Sequence, residues 1–238
     1  GLYLYNETTQ SFTNFRFERN NPHSLASDIV HHIAEDKQRR LWISHQYGLS
    51  FIDVETLRIS RHDDAKLDIT KFFIEDGSRF FWLLTDSGKV TVFNPDAKRF
   101  NQYNPIPGNP NSLSHEIVIS LFEDSRGDLW IATLGGLNRY NPVSKTFTHY
   151  LHEAGNLSTI PSTINYTPGI YEDNESTLWI GSSNPAALSI MDRDLGKIVK
   201  TFYPDPENPN ALPESQQINK MITDKEDNRI MWLATAKG

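Results

Sequence analysis

The sequence predicts an all-β fold assembled from repeated four-stranded antiparallel units. Three observations carry that expectation. All five tryptophans, Trp42, Trp82, Trp130, Trp179 and Trp232, sit in stretches that align with one another at intervals of 40 to 53 residues. Short apolar segments alternate throughout with Gly, Asn, Asp, Pro and Ser turn signals, as strands and hairpins do. No stretch carries a 3.6-residue apolar period bounded by capping residues, so helices are not expected.

Each repeat reads as the same succession of elements. A first strand ("VHHIAED", "VISLFED", "PGIYED") ends in an aspartate, and its run of apolar side chains predicts a strand covered on both faces. Those aspartates are Asp36, Asp76, Asp124 and Asp173, six residues before their tryptophans; Asp224 precedes Trp232 by eight. A second strand contains the Trp and runs into a turn: "HQYG", "DSG", "LGG" or "SSNPA". A third ("LSFIDV", "KVTVFNP", "GLNRYNP", "ALSIMDR") and a fourth ("KRFNQY", "KTFTHY", "KIVKTFY") follow. Linkers rich in Asn, Pro and Ser, such as "PGNPNSLS", lead to the next unit.

Four-stranded units repeating at this period are the signature of a β-propeller, whose blades must stack because one sheet cannot bury both faces alone. The 238 residues are thus read as one propeller domain. Whole blades are assigned to 28–64, 65–114, 115–162 and 163–214; 1–27 holds the last two strands of a blade and 215–238 the first two. The two halves either complete a fifth blade and close a ring or belong to an arc of a larger propeller. Both ends read as cuts within a longer protein.

Composition narrows the function. The chain has 37% hydrophobic residues, enough for a packed core, and a net charge of −7 without a Lys/Arg run, which argues against a nucleic-acid partner. No apolar stretch approaches a membrane span, so direct membrane insertion is not expected. The absence of cysteine removes disulfides, thiolate catalysis and Cys-based zinc sites. Adjacent histidines such as His31 and His32 point to opposite faces of a strand, so no metal site and no cofactor are expected.

The stretch "NSLSHEIVISLFEDSRGDLWIATLGGLNRYNPVSKTFTHY" closely resembles the two-component-regulator propeller repeat. The copies around Trp42 and Trp179 resemble it well, and those around Trp82 and Trp232 less. The resemblance implies the periplasmic sensor region of a bacterial membrane-spanning regulator. A histidine kinase or diguanylate cyclase would then lie elsewhere in the parent chain, anchored in the inner membrane. It implies a small-molecule ligand, with an oligosaccharide the leading class, and it leaves homodimerisation open.

Candidate residues fall into two sets. The aspartates and tryptophans recur in every repeat and so read as structural: an Asp entering a turn accepts backbone N–H groups two or three residues on, and the Trp packs between blades. The glycine pair Gly135–Gly136 lacks the strand–GxGxxG–helix setting of a dinucleotide loop and reads as a turn. Positions that vary from blade to blade are the functional candidates. Eight residues before each Asp stand Asp28, Asp68, Glu116, Asn165 and Gln216, all polar and all where the linker enters the first strand. The turns after the Trp strand should line the same face and supply His45, Gln46 and Tyr47, then Asp86 and Ser87, then Ser183 and Asn184. Aromatic, amide and carboxylate groups together suit a sugar. The expected function is non-enzymatic ligand sensing, with no catalytic residue. A lyase or glycosidase on the same architecture, its carboxylates drawn from Asp28, Asp68 and Glu116, and a protein-interaction scaffold are the alternatives.

Overall fold

The computed structural model describes residues 1–46, 48–63, 70–76, 79–162, 169–183, 186–214, 218–227 and 229–235. Its regular structure consists of twenty strands, with no helix among the described residues. The chain divides into two compact units, Gly1–Gln102 and Tyr103–Gly238, described in turn.

In the first unit, β1 (Leu2–Asn6) and β2 (Ser11–Phe15) form a two-stranded ribbon. Two four-stranded antiparallel sheets follow. One contains β3 (Val30–Glu35), β4 (Leu41–His45), β5 (Gly48–Ile52) and β6 (Ile59–Asp63), and the other β7 (Thr70–Glu75), β8 (Phe81–Thr85), β9 (Val90–Asn94) and β10 (Arg99–Tyr103). The second unit repeats the plan with β11 (Val118–Glu123), β12 (Leu129–Thr133), β13 (Gly136–Asn141) and β14 (Thr146–Tyr150). Then come β15 (Ile170–Glu172), β16 (Leu178–Ser182), β17 (Ala187–Asp192) and β18 (Lys197–Phe202), and a final pair, β19 (Ile218–Thr223) and β20 (Met231–Thr235). Each four-stranded sheet is a meander in which sequence neighbours are spatial neighbours, so short turns alone set the order.

The repeated aspartate builds the first turn of each sheet. Asp36 Oδ1 accepts the backbone N–H groups of Gln38 (2.9 Å) and Arg40 (2.8 Å). Its Oδ2 accepts the Trp42 indole N–H at 2.7 Å. Asp124 does the same for Arg126, Asp128 and Trp130, and Asp173 for Glu175, Thr177 and Trp179. In these turns the capped N–H groups are two and four residues on, where two or three was expected; Asp224 accepts those two and three on, from Glu226 and Asp227. The indole bond carries the capping group into the core. A second Asx turn ends the third strand: Asp53, Asn94, Asn141 and Asp192 each accept the N–H groups two and three residues on. The residue four on then takes a positive φ, at Leu57, Lys98, Lys145 and Gly196.

The linkers are structured as well. Asn109 Oδ1 accepts the Asn111 N–H at 2.9 Å, while the Ser112 hydroxyl accepts the Ile106 N–H (2.8 Å) and donates to the Asn109 carbonyl (2.9 Å). Ser24 and Thr159 repeat this closure on Glu18 and Glu153. The next side chain, Leu25, Leu113 or Ile160, is then driven into the core.

Sheets within a unit share cores. Trp42 and Leu49 pack with Phe81, Leu83 and Phe93 of the next sheet, the Trp42 and Phe81 rings 4.4 Å apart. Trp130, Ala132 and Leu137 likewise meet Ile170, Leu178, Ile180 and Met191. Trp232 departs from this pattern and is 59% exposed. One expectation is corrected here. The first strand is not always covered on both faces: β3 alternates part-buried and exposed, with Ile33 at 42%, whereas every residue of β11 and β15 is buried or part-buried. β3 is an edge strand, bonded on one side only, whereas the fully buried strands β8 and β12 are interior to their sheets.

Candidate functional site

Strand register places the two sets of variable positions at one end of each sheet. Val30 pairs with His45, so Asp28, just upstream, and the turn after β4 lie together, with the Asp36 turn at the opposite end. Thr70 pairs with Thr85 and Val118 with Thr133, giving Asp86 and Glu116 the same placement in their sheets. Asp86 and Glu116 are exposed and Gln46 is part-buried. Asp28 is exposed too, but its Oδ1 accepts the Phe17 N–H at 2.8 Å, tying the linker to β3. The Ser87 hydroxyl lies 3.1 Å from that of Thr85, and Ser183 is buried with its carbonyl accepting the Ser162 hydroxyl at 2.8 Å. Tyr47, Asp68, Asn165, Asn184 and Gln216 lie outside the described residues.

His45 requires a correction. It is the last residue of β4 and wholly buried, not part of an exposed turn. Its Nε2 lies 3.0 Å from Ser50 Oγ. Burial, then the charges of Arg61 and His31, push its imidazole down to about 4 against an opposing backbone hydrogen bond with Leu49. A neutral side chain without solvent access presents no surface to a ligand. The sequence showed it next to a turn; the sheet draws it inside.

A cleft of about 420 Å³ lies at the other end of the first unit's sheets, where β6 and the Asp36 turn face the β9–β10 turn. Arg40 forms one wall, its Nε 2.6 Å from Asp36 Oδ2 and its guanidinium 5.3 Å from both the Trp42 and Phe51 ring centres. Arg61 donates to the carbonyls of Asn21 (2.9 Å), Ser24 (2.8 Å) and Leu25 (2.8 Å), clamping the linker. His62 stacks on Phe51 at 5.8 Å and 18°. Burial first, then Lys98 and Arg40, lower its basicity. Lys98 stands exposed on the far lip, and His23 closes the linker side. The Arg58 guanidinium approaches His23 Nε2 at 3.0 Å, which makes that nitrogen the acceptor and leaves Nδ1–H to donate to the Ile59 carbonyl at 3.2 Å.

The second unit holds a cleft of about 130 Å³ that shares with the first only the positions of His149, Tyr150 and Gly196 and is otherwise lined by Met191, Ile198 and the linker from Leu151 to Ile160. Register equates His149 with Arg61 and Tyr150 with His62, since Asn138 pairs with His149 as Ser50 pairs with Arg61. Turn position equates Gly196 with Lys98 and Asp128 with Arg40. The Tyr150 ring occupies the space beside Gly196, where a Cβ would come within 2.8 Å of it. The two units differ beside the Asp turn. Arg193 lies buried between Asp124 Oδ2 (2.9 Å) and Glu172 Oε1 (2.8 Å) and donates to the Ser176 carbonyl at 2.7 Å. Pro95 holds its position in the first unit. There Asp36 takes Arg40 from its own turn instead, and Glu75 Oε1 is buried with no hydrogen-bond partner. The clefts escaped the sequence reading because their walls come from segments far apart in the chain; the only local signal was positive charge at Arg40, Arg61 and Lys98, where the other repeat has Asp128, His149 and Gly196.

Residues 112–135 match the family described as the two component regulator propeller. Over 223 residues, 87% of this chain, the sequence is 27% identical to Histidine kinase P4 of Formosa agariphila, and covers 16% of that protein. The extracellular domain of a hybrid two component system from B. thetaiotaomicron superimposes with a TM-score of 0.68 at 23% identity, over 99% of this chain and 29% of that one. Virginiamycin B lyase from Staphylococcus aureus superimposes with a TM-score of 0.57 at 14% identity, over 87% of this chain and 63% of the lyase. At these identities the structural likenesses establish the propeller fold alone. The chain thus spans less than a third of the length of the two-component relatives it matches.

Proposed function

We propose that this chain, in which the two component regulator propeller repeat recurs, is a ligand-sensing module of a bacterial two-component-type regulator, extracytoplasmic and carrying no catalytic activity of its own. One contrast carries the reading. The Asp–Trp frame is repeated from blade to blade, while the residues at the opposite sheet ends differ in charge, size and aromaticity. A scaffold needs the first feature and has no use for the second; recognition of one ligand among many needs both. The likeness to a histidine kinase along most of the chain supports a signalling context. The exposed Asp86 and Glu116 with Gln46 offer the acceptors and donors a carbohydrate fragment would use.

Thermal unfolding in the presence of a panel of neutral and acidic oligosaccharides tests the proposal. A ligand bound only by the folded state at one hundred times its dissociation constant stabilises by about 2.7 kcal/mol, a shift of several degrees. Recovery of the sugar unchanged after incubation is the second expected result. Cleavage of a panel member would replace sensing with an enzymatic reading.

A further inference from the structure

We propose that the cleft between the β3–β6 and β7–β10 sheets binds a small organic anion, a carboxylate or sulfate carried on a sugar-sized ring, with Lys98 and Arg61 as its charge partners. The proposal stands apart from the sensor reading, since it concerns the opposite end of the sheets from the positions discussed there.

Size is the first argument. A volume of about 420 Å³ falls within the range of small-molecule sites. Charge is the second. In a chain of net charge −7, this one cleft gathers Arg40, Arg61 and Lys98 against a single lining carboxylate, Asp96. Asp36 offsets Arg40 through a 2.6 Å contact. Arg61 spends its donors on neutral carbonyls and on the Ser24 hydroxyl, so its positive charge is not cancelled by them. Asp96 is turned toward Arg79 at 3.9 Å. The cleft therefore keeps a positive potential, and its partly water-excluded walls strengthen it. Shape is the third. The parallel Phe51 and His62 rings supply flat surface beside those charges, suited to one face of a ring compound.

The equivalent positions in the second unit serve as an internal control. By register and turn position, Asp128, His149, Tyr150 and Gly196 stand there where the first unit has Arg40, Arg61, His62 and Lys98. The frame therefore does not require three cations here. His149 holds its linker with a single 2.6 Å contact to the Ser112 carbonyl, so closing the linker does not need an arginine either.

Isothermal titration with D-glucuronate, D-glucose and inorganic sulfate at low ionic strength tests the assignment. Glucuronate should bind at least tenfold more tightly than glucose, and sulfate should compete with it. Lys98→Ala, a change at an exposed turn, should weaken glucuronate at least fivefold, while Lys145→Ala, the same turn position in the second unit, should leave it unchanged. The double exchange Lys98→Gly with His62→Tyr should abolish binding, with far-UV circular dichroism confirming that the variant is folded. Equal affinity for glucose and glucuronate, an unaltered Lys98→Ala variant, or no heat with either anion would each overturn the proposal. None of those results bears on oligosaccharide binding at the other sheet ends, so the two readings fail separately.

Discussion

Arg193 shows how much one residue carries when its partners are drawn from two strands. A single guanidinium pairs with both Asp124 and Glu172, the Arg193, Asp124 and Glu172 side chains being 5%, 0% and 9% exposed. Arg193→Ala leaves two buried carboxylates facing each other and should cost about 3–5 kcal/mol, read as a lower urea midpoint. Arg126→Ala removes only an exposed pair with Asp194 and should leave the midpoint nearly unchanged. His45 sets a pH dependence. Its imidazole is lowered from the ordinary value near 6.5 to about 4, so between those values the unfolded chain binds a proton that the folded chain refuses. Stability is therefore unaffected above pH 6.5 and declines as the pH falls toward 4, by up to about 3 kcal/mol. His32 and His62, also lowered by burial, act in the same direction. Burial pushes the Asp36 and Asp124 carboxyls up, but their hydrogen bonds outweigh it and hold them below the ordinary carboxylate range, outside this window. His45→Gln should flatten the melting temperature between pH 7 and 4.5 relative to the parent chain.

At the scale of the element, the closed linker is the least expected feature. It reads in sequence as a polar connection and folds as a hydrogen-bonded knot with a buried aliphatic tip. The fourth copy is the informative one: Ala211 stands where Ser24, Ser112 and Thr159 supply a hydroxyl. The backbone bonds Asn208 N–H to Asp205 O and Ala211 N–H to Asn208 O are kept. Ala211→Ser should therefore add the missing bond to the Asp205 N–H and stabilise by about 0.5–1.5 kcal/mol, while Ser112→Ala should lose as much or more; urea titration of both variants measures it. The turns were legible in the sequence because Asp, Asn and Gly act on backbone within four residues of themselves. The exposure of β3 was not. "VHHIAED" reads as a buried strand by composition, and only its place at the edge of the sheet explains why Ile33 faces outward.

In the molecule as a whole, each unit concentrates burial in the interior strands of its sheets. Every residue of β8 and β12 is buried, and β4 nearly so, while β2 is almost wholly exposed. Amide hydrogen exchange should follow that order, slowest in β4, β8 and β12 and fastest in β1, β2 and the outer strand β18. Rapid exchange in β12 would mean that the shared core around Trp130 is not the stable centre of the second unit.

The sequence by itself determined the all-β class, the four-stranded repeat and the recurring Asp and Trp, because these rest on side-chain alternation and on turns closed within a few residues. The tertiary structure alone decided which charges and rings meet. Arg193 reaches Asp124 across 69 residues of sequence, His45 is withdrawn from its turn, and the cationic cleft forms where Pro95 stands in the place of an arginine. Those outcomes depend on how one sheet packs against the next, and side chains so far apart in sequence come into contact only through that packing.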